Sequence, residues 1–90
     1  MSQCLVKSFG LAVRQQRELH QWSQEQLAEN ADLNRSYVGE IERGRVVVSL
    51  LTVEKLGHAF GISGARLLEI GERLECTVAP KTIQLASIAC

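Results

Sequence analysis

The sequence predicts an all-α fold, a compact set of five helices, and three observations carry that prediction. Ser23, Ser49 and Ser63 each follow an apolar residue (Trp22, Val48, Ile62) and stand four positions before another (Leu27, Val53, Leu67). That is the grammar of an N-cap flanked by a hydrophobic staple, in which the residue before the cap packs on the residue four into the helix. Gly44 and Gly61 fall just past helical apolar patterns, where a left-handed C-terminal residue is favoured. The chain has a single proline and only one Trp, one Tyr and two Phe, a poor composition for a β-sandwich.

The first helical pattern runs from about Lys7 to Gln21, with Phe9, Val13, Arg17 and His20 along one stripe and Leu11, Ala12 and Leu19 beside it. Ser23 and Gln26 make a capping box that opens the second helix, which should end near Ala31. Asp32-Leu33-Asn34 is a short turn, with Asn34 as the cap of a third helix from Arg35 to Arg43. Val38 and Ile41 face inward there with Leu33, while Arg35, Ser36, Gly39, Glu40 and Arg43 point away from the core. Arg45 to Val48 forms a loop, and the valines either pack beneath it or form an exposed interface. Ser49 caps a fourth helix, with Leu51, Leu56 and Ala59 or Phe60 on its stripe. Ser63 caps a fifth that should run to Gly71 or Leu74. Residues 1–74 therefore form one domain. Residues 75–90 break the pattern at Cys76-Thr-Val-Ala-Pro80 and read as either a frayed tail or an arm docking on a neighbour.

Composition excludes several classes. Ninety residues with 46% hydrophobic and 22% charged content suit one small globular domain, for which oligomerisation would bury further apolar surface. No run approaches the roughly 20 apolar residues of a membrane span, and the N-terminus lacks the layout of a secretory signal, so the cytoplasm is the expected location. Cys4, Cys76 and Cys90 are odd in number and widely spaced, and His20 and His58 lie far from them in sequence, so neither a disulfide framework nor a metal site is read. No phosphate-binding glycine loop and no nucleophile–base set is present, so no enzymatic activity and no cofactor are expected.

A capped helix, a tight turn and a second capped helix with a polar outer face is the layout of a helix-turn-helix. Its first helix crosses the DNA backbone, where free amides at its N-terminus and Gln24 can meet a phosphate. The second presents its N-terminal residues to base edges in the major groove of double-stranded DNA.

Over residues 9–70 the chain resembles the phage-repressor and Cro-type helix-turn-helix regulators, the Xre family. The resemblance is carried by Val13-Arg14 and Arg17, by Ser23-Gln24-Glu25-Gln26-Leu27-Ala28, by Leu33-Asn34-Arg35-Ser36-Tyr37-Val38, by Ile41-Glu42-Arg43-Gly44, and by Ser49 to Leu56. The stretch from Arg45 to Leu56 looks most like the controller proteins of restriction–modification systems. The resemblance implies that Arg35, Ser36, Gly39 and Glu40 read bases and that Tyr37 touches a thymine or the backbone, unless it lies flat on the second helix. It implies phosphate contacts from Ser23, Gln24, Arg43 and Arg45, and a structural ion pair between Arg17 and Glu42. Leu67, Leu68 and Ile70 match the region such regulators use to dimerise, with the valine loop and the tail as further candidates. RNA polymerase or another protein is a further candidate partner.

Three departures from that pattern matter. Asp32 stands where glycine is usual, in a turn that needs the left-handed region. Gly39 costs about 1 kcal/mol of helix stability relative to Ala, so it either admits the backbone closely to DNA or is a tolerated weak spot. Val46-Val47-Val48 replaces a more polar loop. The net charge is zero, and residues 34–53 offer Arg35, Arg43 and Arg45 against Glu40 and Glu42. Few phosphate contacts per subunit follow, so useful affinity requires a homodimer on two half-sites of a palindromic operator. The alternatives are an antitoxin whose tail binds its toxin, and a protein-interaction module that kept the fold and lost DNA binding.

Overall fold

The computed structural model describes residues 3–78, and side chains over residues 4–74. Five helices follow one another: α1 (Gln3–Leu19), α2 (Gln24–Ala31), α3 (Arg35–Glu42), α4 (Leu50–Phe60) and α5 (Gly64–Val78). The caps expected from sequence are in place. Ser23 Oγ accepts from the Gln26 amide at 3.1 Å while the Ser23 amide donates to Gln26 Oε1 at 2.8 Å, closing the capping box. Ser49 Oγ accepts from the Thr52 amide and Ser63 Oγ from the Arg66 amide, so α4 and α5 begin by the same device.

Both outer helices are longer than their patterns predict. α1 begins at Gln3 rather than Lys7, bringing Leu5 and Val6 into a half-buried position. α5 continues to Val78 rather than ending at Gly71 or Leu74. Thr77 and Val78 lower helix propensity only slightly. The strong breaker is Pro80, whose ring disfavours helical backbone at the residue before it. The rest of the expected tail or arm lies outside the described residues.

One core joins all five helices. Val13, Leu27, Val38, Ile41, Leu56 and Leu67 are fully buried, with Phe9, Ala12, Ala28, Ala31, Val53 and Phe60 completing the cluster. Burying each large aliphatic side chain contributes about 1.5–3 kcal/mol, and truncating Leu56 to Ala would cost about 2–5 kcal/mol. α1 lies along α5 and against α3, while α2 packs on α3 and α4.

The stripes differ in detail from expectation. Leu11 is 48% exposed and Leu19 71%, because α1 buries the face of Phe9, Ala12 and Val13 instead. Leu51 is 60% exposed, because α4 turns Thr52, Val53, Leu56 and Phe60 inward. The valine loop divides: Val46 and Val48 pack on the core, and Val47 faces outward.

Leu67 is completely enclosed by this chain's own core, so its side chain has no surface to offer a second subunit. Leu67 holds the fourth position after the Ser63 cap, where the staple with Ile62 draws it inward. Leu68 and Ile70 are half-buried against the same core.

Candidate nucleic-acid interface

The turn between α2 and α3 is fixed at both ends. Asp32 takes the left-handed conformation (φ 58°, ψ 49°), and the Leu33 amide reaches back to the Ala28 carbonyl at 2.8 Å. That closure is the Schellman type, which needs a left-handed residue, and Asp fills the place with some strain. Lys55 of α4 donates from Nζ to the Asp32 carbonyl at 3.4 Å and stands 3.8 Å from its carboxylate. Asn34 Oδ1 then accepts from the Ser36 amide at 2.8 Å and starts α3.

At the far end of α3, Gly44 is left-handed (φ 71°). The Gly44 amide bonds the Ile41 carbonyl and the Arg45 amide bonds the Glu40 carbonyl, each at 3.0 Å. A Cβ at Gly44 would also collide with the Lys7 stem of α1, so glycine is required there twice over. Gly10 of α1 rests on the Ile41 and Glu42 carbonyls so closely that no side chain fits between α1 and the end of α3.

Beneath α3, Glu42 ties three segments together. Its carboxylate accepts from Arg17 Nε at 2.7 Å and Nη2 at 3.1 Å, and from Gln24 Nε2 at 3.0 Å. Arg17 Nη1 donates to the Trp22 carbonyl at 2.9 Å. The hydrogen bond to Glu42 raises the Arg17 pKa above its ordinary value, against a smaller opposing effect of burial. This is the structural ion pair that the family resemblance implied, extended by Gln24.

Above it, the exposed face of α3 and the start of α2 enclose a shallow polar cleft lined by Gln24, Arg35, Ser36, Gly39, Glu40 and Arg43. Arg35 and Ser36 are exposed at its N-terminal end. Gly39, expected on the outer face, is instead covered, because the Arg43 guanidinium and the Gln24 carboxamide oxygen lie over it. Arg43 Nη2 donates to Glu40 Oε2 at 2.6 Å. That hydrogen bond holds the Glu40 carboxyl below the usual glutamate range.

Three of the candidate DNA-contact residues, Tyr37, Ser23 and Arg45, lie outside the cleft. Tyr37 is half-buried against the core. Ser23 is exposed, but its hydroxyl and amide are both engaged by Gln26. Arg45 is exposed just beyond the end of α3. Leu68 lines an apolar groove with Leu5, Val6, Val47 and Leu50, some of it far from the polar cleft in sequence.

Sequence reasoning missed the Gln24–Glu42 bond and the seating of Gly10, which depend on how α1 and α2 approach α3. The Glu40–Arg43 pair was legible, since a carboxylate three residues before an arginine on one helix is a known pairing. Among the described residues no group of three or more His, Cys, Asp or Glu is placed to hold a metal ion. No helix among them is long and apolar enough to cross a membrane.

Two short helices at a fixed turn, with a polar cleft along the second, define a helix-turn-helix protein of the kind that docks on duplex DNA. The helix-turn-helix family model matches residues 13–67, and the chain belongs to that family, the Xre-type DNA-binding transcriptional regulators. The chain is 45% identical over 62 residues to the control protein C.BamHI of Bacillus amyloliquefaciens, covering 68% of this chain and 76% of that one. The crystal structure of the restriction-modification controller protein C.AhdI from Aeromonas hydrophila superposes with a TM-score of 0.66 at 44% identity, covering 70% of this chain and 94% of that one. The clp gene regulator ClgR from Corynebacterium glutamicum gives a TM-score of 0.79 at 30% identity, covering 93% of this chain and 88% of that one.

Proposed function

We propose that this chain is a homodimeric, sequence-specific DNA-binding regulator that acts on a palindromic operator, and that it controls the genes of a restriction–modification system. The observation that carries the reading is the cleft that gathers Gln24, Arg35, Ser36, Gly39, Glu40 and Arg43 between the exposed face of α3 and the start of α2. With α3 in the major groove, Arg35 and Ser36 meet base edges first, and a guanine's O6 and N7 suit the Arg35 fork. Ser23, at the start of α2, and Arg45 flank the groove toward the phosphates. Similarity to controller proteins of restriction–modification systems supports the choice of regulated genes.

Charge and surface support the dimeric reading. Glu42 is consumed by Arg17 and Gln24, and Glu40 by Arg43, so each subunit brings few free cations to the backbone. Two half-sites roughly one helical turn apart would double those contacts. Val47, Leu50 and Leu51 are 82%, 81% and 60% exposed around the start of α4, and a second copy covering them would remove that apolar surface from water. A duplex-DNA partner supports a cytoplasmic location for the regulator.

The test is nuclease footprinting of the DNA upstream of this protein's gene, with sedimentation analysis of the protein alone. A two-fold symmetric footprint and a dimer in solution are expected. A monomer protecting one asymmetric half-site would contradict the dimeric reading. Stable capture of a partner protein with no footprint would favour an interaction module.

A further inference from the structure

Arg43 does not extend from the end of α3 toward the flanking backbone. Side chains on a helix lean toward its N-terminus, and Arg43 folds back one turn in that way. Its Nη2 and Nη1 come to 3.4 and 3.5 Å from where a Cβ on Gly39 would stand. There the guanidinium donates to Glu40 Oε2 at 2.6 Å while the Arg43 side chain stays 51% exposed, facing the cleft it shares with Arg35 and Ser36.

We infer that Arg43 and Glu40 act together as a base-reading unit for one G·C pair in each half-site. The inference rests on the operator-binding reading above and deepens it by assigning a base-pair class to two residues. A guanidinium carries five N–H donors in one plane, so the bond to Glu40 leaves others for guanine O6 and N7. The Glu40 carboxylate is an acceptor beside it, matched to the amino group of the paired cytosine. An unpaired glutamate on this face would repel phosphates, whereas one held by Arg43 is locally neutralised. Its depressed pKa, caused chiefly by the Arg43 hydrogen bond, agrees with a carboxylate that stays ionised in this arrangement.

The Cβ position of Gly39 is 3.4 Å from one guanidinium nitrogen and 3.6 Å from Gln24 Oε1, so a methyl group there would stand in ordinary van der Waals contact with both side chains and leave the Arg43–Glu40 pair in place. The family resemblance implies a phosphate contact for Arg43; the folded-back guanidinium favours the base edge.

Selection of binding sites from a random duplex library, followed by sequencing, tests this with the wild type and the Arg35→Ala, Arg43→Ala and Glu40→Ala variants, each first checked for an unchanged helical circular dichroism spectrum. The wild type should select a motif with a G·C pair whose preference drops at least about fivefold in both Arg43→Ala and Glu40→Ala. Arg35→Ala should relax a different position. An Arg43→Ala variant that binds all sequences more weakly with the motif intact would overturn the inference and return Arg43 to a phosphate. Retention of the G·C preference in Glu40→Ala would overturn the joint reading. A wild type that selects no motif would instead contradict the operator-binding function itself.

Discussion

Arg17 and Glu42, 25 positions apart, meet through two hydrogen bonds of 2.7 and 3.1 Å beneath the recognition helix, with only 14% and 4% of their side chains exposed. Through Glu42 the same contact reaches Gln24 at the start of α2, and through Arg17 the carbonyl of Trp22. One carboxylate thus sets the relative position of α1, α2 and α3, on which the shape of the cleft depends.

Removing either partner leaves a buried charge uncompensated. Arg17→Ala or Glu42→Ala should each destabilise the fold by about 3–5 kcal/mol. Thermal denaturation of both single variants and the double should show strong non-additivity, with the double variant little worse than either single. Additive losses would mean the two side chains act independently.

Gly10 has no room for a side chain over the Ile41 and Glu42 carbonyls. Gly10→Ala should therefore cost about 1–3 kcal/mol through overpacking, although alanine is the better helix former. Urea denaturation measures it, and a stabilised variant would show that α1 and α3 are further apart than described.

At Gly39 the balance of effects is different. Alanine there meets only the flexible ends of Arg43 and Gln24, so Gly39→Ala should stabilise the fold by up to about 1 kcal/mol. The same change should leave operator binding unaltered, because the added methyl only touches the guanidinium at ordinary contact distance. A destabilised variant, or one that binds its operator more weakly, would show that the guanidinium lies closer to Gly39 than described.

The Glu40 carboxyl should titrate below the ordinary glutamate range, because Arg43 donates to its charged form. A depressed folded-state value means that the pair's contribution is present above the ordinary range and is lost as pH falls through the folded value. Carboxyl chemical shifts followed by NMR should show Glu40 returning toward its ordinary value in Arg43→Ala. No change on that substitution would break the assigned pairing.

The parts of this fold legible in sequence are those set by local chemistry. The caps at Ser23, Asn34 and Ser49, the left-handed residues Asp32, Gly44 and Gly61, and the face of Val38 and Ile41 each follow from residues within one turn. What was not legible depends on how helices approach one another. Leu11, Leu19 and Leu51 sit near the edges of their apolar stripes, so a small rotation of the helix decides whether each is buried. Leu67 fitted both a staple and a dimer surface, and the fold uses it for the staple. Five of the six residues lining the cleft share one face of α3 and were readable from helical spacing, whereas the bond from Gln24 to Glu42 required the packed helices.

The most direct test of the central claim is fluorescence anisotropy of the wild type and the Arg35→Ala variant on the DNA upstream of this protein's gene, at two salt concentrations with random duplex as competitor. The account predicts saturable binding that survives the competitor, weakens only shallowly with salt, and loses about 1–3 kcal/mol of sequence preference in Arg35→Ala. Binding that random DNA abolishes, with a steep salt slope on the order of ten and no effect of Arg35→Ala, would contradict a regulator that reads its operator through α3.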